Sequence, residues 1–262
     1  MTDPNDRLRI DAAQVLDDVH QLISGFAAAR QQHQALTASA SAEGGRITVV
    51  ADASGAVMEV IFDDFVDDLS YQRIARGTLQ AAQRAATAVK GKAEAILTPL
   101  QAMQARLPKL SDLFDWMPRE DPIPPPPAAL LTRPGEREPM VTDGAASAEA
   151  GPDRPLDDVI GDLVELQNQR ARLYATGAAE GRRILVAVNA DGVMIDLKFA
   201  PGVSELEYDE IAAAITAASR VAVAGVARKV AELYAPAAED RPPYPGPEAT
   251  LAHIDLFREQ LR

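Results

Sequence analysis

The feature that most constrains this 262-residue chain is that it says the same thing twice, 137 residues apart, without a gap. Gly44, Arg46, Ile47, Val49, Gly55, Phe62, Val66, Leu69, Tyr71, Ile74 and Lys92 align with Gly181, Arg183, Ile184, Val186, Gly192, Phe199, Val203, Leu206, Tyr208, Ile211 and Lys229. These positions are those of strand interiors, a turn glycine and a helix start, so the register describes a duplicated domain. Each copy opens with an amphipathic helix. Val15, Val19, Leu22, Ile23, Phe26 and Leu36 mark it in the first, and Leu156, Val159, Ile160, Leu163 and Leu173 in the second.

Thr37–Ala42 and Tyr174–Ala179 are small and polar, and read as a weak first strand or a loop. Arg46–Asp52 with Val57–Asp63, and Arg183–Asn189 with Val193–Phe199, read as hairpins turning at Gly55 and at Asp191-Gly192. A long alanine-rich helix follows in each copy, expected from near Asp67 and near Ser204, where Ser204 and Glu207 fit a capping box. Its small residues would let another helix approach closely, a route to self-association. The stretch Ile211–Ala227 is broken by Ser219 and Arg220 and reads as too short and polar to span a bilayer.

The expected organisation is an N-terminal tail (1–14), a first domain (15–117), a linker (118–155), a second domain (156–235) and a C-terminal extension (236–262). The linker holds ten prolines, including the run Pro124–Pro127, and reads as a semi-rigid spacer. Two apolar segments flank these breaks. One is Leu110–Met117; the other carries Leu251, Ile254, Phe257 and Leu261, a candidate helix for a protein partner.

Chemistry is not indicated. Without cysteine there is no disulfide, thiolate site or thiol nucleophile. His20, His33 and His253 have neither triad nor zinc spacing, and Gly44-Gly45 matches no phosphate-binding loop. Asp63, Asp64, Asp67 and Asp68 lack a cation-loop pattern and suit a helix start. The expectation is a non-enzymatic, cytoplasmic protein with no cofactor and no membrane partner.

Charge is the informative asymmetry. The net charge of −13 divides into −8 over residues 1–70, +6 over 71–110, −5 over 111–155 and −6 thereafter. The cationic stretch carries Arg73, Arg76, Arg84, Lys90 and Lys92. The three arginines fall at i, i+3 and i+11, one side of a helix that could neutralise phosphates or balance acidic neighbours. The second copy lacks the row, since Ala213 and Val221 replace Arg76 and Arg84.

The order helix, strands, long helix, with Arg46-Ile47-Thr48-Val49-Val50 and Arg183-Ile184-Leu185-Val186, a glycine turn and strands ending in Phe62 and Phe199, resembles the YbaB/EbfC family of bacterial nucleoid-associated proteins. The resemblance covers roughly residues 15–100 and 155–235. It implies an α+β fold in which two YbaB-like domains form a pseudo-dimer within one chain. It also implies low-specificity binding of double-stranded DNA, with a nucleoid-associated location. Relatives of actinobacterial type imply the alternative, a protein adaptor or chaperone linked to type VII secretion, acting on a protein client.

Overall fold

A computed structural model describes residues 4–105, 125–136 and 156–239. The chain is α+β, with α1 at Pro4–Gln34, β1 at Thr37–Ala42, β2 at Ile47–Asp52, β3 at Val57–Phe62 and α2 at Tyr71–Gln104. The same order then returns as α3 (Leu156–Arg172), β4 (Tyr174–Ala179), β5 (Ile184–Asn189), β6 (Met194–Phe199) and α4 (Tyr208–Glu239). All six strands start 137 residues from their counterparts. The weak first strand of each copy is a full strand, so each copy forms a three-stranded antiparallel sheet, β1-β2-β3 and β4-β5-β6. Both central strands shift register at equivalent places, Val50/Ala51 and Ala187/Val188. The matched arginines brace equivalent corners. Arg46 pairs with Asp68 at 3.5 Å and Arg183 with Glu205 at 3.0 Å.

Both long helices begin four residues later than the sequence suggests, because turns at Val66–Asp68 and Val203–Glu205 come first. The cap of α4 shifts with them. Glu210 Oε2 accepts the Glu207 N–H at 2.9 Å, so the expected Ser204–Glu207 box is replaced by carboxylate capping one turn further on. At α2 the Ser70 hydroxyl accepts the Arg73 N–H at 3.4 Å.

The described chain divides into two compact units. One joins α1 to the part of α2 beyond residue 91, through Leu22, Ala29 and Leu100. Phe26, expected in the buried stripe, is 41% exposed. The other unit holds both sheets, the first part of α2, residues 125–136, α3 and α4.

A sheet must bury its apolar face against another layer, and in the larger unit the two sheets and their helices share one core. Ile47, Val49 and Ile74 of the first copy lie in the same buried cluster as Ile184, Val186, Ile211 and Ile215 of the second. The contacts between the copies are reciprocal. Phe62 meets Tyr208 edge-on at 6.5 Å, Phe199 meets Tyr71 edge-on at 6.3 Å, and the two tyrosines lie 6.5 Å apart between them. Gln83 Nε2 donates to the Met194 carbonyl at 3.3 Å, and its counterpart Arg220 donates through Nη2 to the Met58 carbonyl at 3.5 Å. Each long helix thus reaches the edge strand of the other copy through one side-chain hydrogen bond. The hairpin tips also meet. Gly55 and Gly192 hold φ of +83° and +82°, and a Cβ on Gly55 would stand 3.0 Å from Val193 Cγ2.

The alanine faces are buried inside the chain, with Ala81, Ala85, Ala218 and Ala222 fully enclosed. The close approach they permit is helix onto strand. At Gly177 in β4 a Cβ would sit 2.0 Å from the Ala218 carbonyl oxygen. The stretch read as too short and polar to span a bilayer belongs to a longer helix segment: Tyr208–Pro236 of α4, whose most apolar 18-residue window has mean hydropathy 1.5, is by length and composition alone long and apolar enough to cross a membrane. Alanine and valine on its outer side keep the hydropathy high, while Ile211, Ile215 and Val226 of the same helix are core residues.

Two predictions follow from this packing. Gly177→Ala should destabilise the chain by roughly 3 kcal/mol in denaturant unfolding, because the helix backbone cannot yield as a flexible side chain would. Burial, then Tyr71 and Asp67, raise the Tyr208 hydroxyl above its ordinary value of 10.0. The folded chain therefore holds that proton more tightly than the unfolded one. The resulting stability is complete below about pH 10 and is lost as pH rises toward the higher folded value. Thermal unfolding from pH 8 to 11 should fall more steeply for the wild type than for Tyr208→Phe.

Candidate functional site

The cationic row divides once the helix is placed. At 3.6 residues per turn, Arg84 lies about 20° from Arg73 around the axis and Arg76 about 60° the other way. Arg73 Nε meets Glu43 Oε2 at 2.7 Å, and Arg84 Nη1 donates to the Ser41 carbonyl at 3.4 Å, so both are engaged by their own copy's β1 and the turn after it. Lys90 is exposed; Lys92, also exposed, belongs to the other compact unit. Leu110–Met117 and Leu251, Ile254, Phe257 and Leu261 lie outside the described residues.

Arg76 joins a different set. It lines an open groove of about 540 Å³ between the start of α2 and β6, together with Arg133, Asp196, Lys198, Tyr71, Phe199 and Pro201. Lys198 Nζ lies 3.1 Å from Asp196 Oδ2, and Arg133 Nε lies 3.9 Å from its Oδ1. Three cations face one carboxylate, an excess of two positive charges on a chain of net charge −13. Sequence reading misses Arg133 and Lys198, because neither is near Arg76 in the chain and neither belongs to a periodic row.

The counterparts of these groove residues at a distance of 137 lack its cations and add carboxylates. Asp209 stands for Gln72, Ala213 for Arg76, Glu59 for Asp196, Ile61 for Lys198 and Asp64 for Pro201. The fold repeats; the charge does not.

A second built site lies beside the groove on β5 and β6, sharing Asp196 and Arg133 with it, and is occupied by the chain itself. Part of the segment expected to be a spacer, residues 125–136, is docked there through its main chain. Asn189, 1% exposed, donates through Nδ2 to the carbonyls of Ala129 and Leu130, both at 3.4 Å. The Ala129 N–H donates to Asp191 Oδ2 at 3.1 Å, and the Leu130 N–H donates to the Ala171 carbonyl at 2.9 Å. Arg170 holds Asp191 in place through its other oxygen. Asn189 Oδ1 meanwhile accepts the N–H groups of Asp191 and Val193, closing the hairpin turn. Asp52 performs that turn-closing role in the first copy, accepting from Ser54 N at 2.9 Å, Ser54 Oγ at 2.6 Å and Ala56 N at 3.1 Å. A carboxylate has no donor left to grip carbonyls, whereas an amide does.

Among the described residues, no group of three or more histidines and carboxylates is placed to hold a metal ion. An apolar groove of about 380 Å³ lies in the smaller unit, lined by Ile23, Phe26, Ala29, Arg30, His33 and Leu97. Comparison of the chain with protein-family models, with curated proteins and with solved structures finds no match.

Asn189→Asp tests the docking site. It removes two donors while keeping the turn-closing oxygen, and should cost about 1–3 kcal/mol through the carbonyls left unsatisfied and the carboxylate placed against them. Hydrogen exchange at the Ala129 and Leu130 amides should accelerate at least tenfold, with β1 and β2 amides unaffected.

Proposed function

We propose that this chain is a non-enzymatic binding protein of YbaB/EbfC type. Its two copies supply, in one polypeptide, the pair of domains which that resemblance implies, and its ligand is double-stranded DNA held with little sequence preference. The observation that carries this reading is the convergence of Arg76, Arg133 and Lys198 on one groove. Cations gathered on an otherwise anionic protein suit a polyanion, since phosphate contacts release condensed counterions whatever the base sequence. Arg73, Arg84, Lys90 and Lys92 add to the positive field of α2. Arg73 does so least, because Glu43 neutralises it.

The test is fluorescence anisotropy of a short duplex. Three phosphate contacts give a salt slope of about −2.7, so affinity should fall about 40-fold between 50 and 200 mM salt, from a micromolar dissociation constant. Combined Arg76→Ala, Arg133→Ala and Lys198→Ala should abolish both the binding and its salt dependence. Undiminished binding in that variant, or none by the wild type at low salt, overturns the reading.

The docked segment favours a second reading, a protein adaptor that holds a client polypeptide. A sheet face that already binds an extended chain through main-chain hydrogen bonds has the chemistry such a role needs.

A further inference from the structure

The docked segment defines what one sheet face of this fold can hold, and the first copy presents the same face open. In the second copy, Ala187 and Asp196 are cross-strand partners, and Asn189 shares their side of β5. All three are buried, at 4%, 7% and 1% exposure, where residues 129–133 run past. Their counterparts Val50, Glu59 and Asp52 are half-buried, exposed and half-buried in turn, and Val50 pairs with Glu59 in the same register. Ile61, which stands for Lys198, is 47% exposed, and the neighbouring β3 residue Met58 is 44% exposed. A lone exposed apolar side chain is ordinary; two on one edge strand, beside Val50, form a patch.

The chemistry of the open face differs from its covered twin in a definite direction. Asp52 replaces the amide of Asn189, so the site accepts N–H groups instead of donating to carbonyls. Ile61 replaces Lys198, so Glu59 has no neighbouring cation of the kind that Asp196 shares. Asp63 and Asp64 follow directly on the same chain. In the second copy, Arg133 reaches Asp196 from a position four residues beyond the buried Ala129.

We propose that the outer face of β2 and β3 is a docking site for an extended, basic polypeptide segment of a partner protein. A small apolar residue of that segment lies over Val50. An arginine or lysine four residues on pairs with Glu59, and Ile61 and Met58 cover the aliphatic part of its side chain. The spacing is that of Ala129 and Arg133 on the second copy. Recognition rests on apolar contact and charge, with backbone N–H groups given to Asp52. This deepens the adaptor reading and is independent of the DNA groove, none of whose cations it uses.

The probe is a fluorescein-labelled peptide of the sequence of residues 125–136, PPPAALLTRPGE, titrated into the full chain, with a peptide carrying glutamate in place of its arginine alongside. The expected result is saturable binding that Glu59→Lys weakens at least tenfold and that Ile61→Lys weakens similarly. The glutamate peptide should not bind. Both first-copy positions are exposed, and circular dichroism checks that the variants keep their fold. Binding that survives Glu59→Lys and is altered by Asn189→Asp would place the peptide in the second copy's site by exchange. That outcome overturns this inference while leaving the adaptor reading standing. Absence of binding at millimolar peptide overturns both.

Discussion

Everything in the larger unit depends on the impossibility of a three-stranded sheet burying its inner face unaided. Each copy keeps its three strands and packs its long helix on them, and the two layered halves then close one core between them. The contact is visible at Phe62 with Tyr208 and Phe199 with Tyr71, where aromatic edges join the start of each helix to the end of the opposite sheet. Gln83 and Arg220 repeat the contact at the strand edges, using different side chains for the same task. Both sheets therefore contribute to one hydrophobic cluster.

On this near-symmetric frame the two copies have been put to unlike uses. The side chain that closes the hairpin is an acid in one and an amide in the other. That difference alone decides which copy can grip a passing carbonyl. Charge diverges in the same way, with Arg76 and Lys198 on one groove and Ala213 and Ile61 at the equivalent places. The repeat therefore maintains backbone geometry, while the exposed positions set two separate chemistries.

Much of this architecture is legible in the sequence, because period-two apolar patterning and turn glycines are local signals. The strands at Ile47–Asp52 and Ile184–Asn189 begin within one residue of where the pattern places them. The helix starts were displaced because Val66–Asp68 and Val203–Glu205 carry acidic residues suited equally to a turn or to a first helical turn. The docked segment was not legible at all. Proline-rich composition encodes extension but no partner, and the partners Asn189 and Asp191 lie some sixty residues away. The cationic groove was only partly legible. Arg76 stood out in its helix, whereas Arg133 and Lys198 join it only through tertiary placement.

The single shared core has a consequence for how the molecule behaves on dilution. A pair of separate subunits built in this way would come apart at low concentration, and its midpoint of unfolding would track the amount of protein present. Here association is a first-order event within one polypeptide, so the fold tolerates scarcity. Freed from the requirement that both partners be encoded identically, it presents unlike faces in a fixed one-to-one ratio, which no homodimer can do.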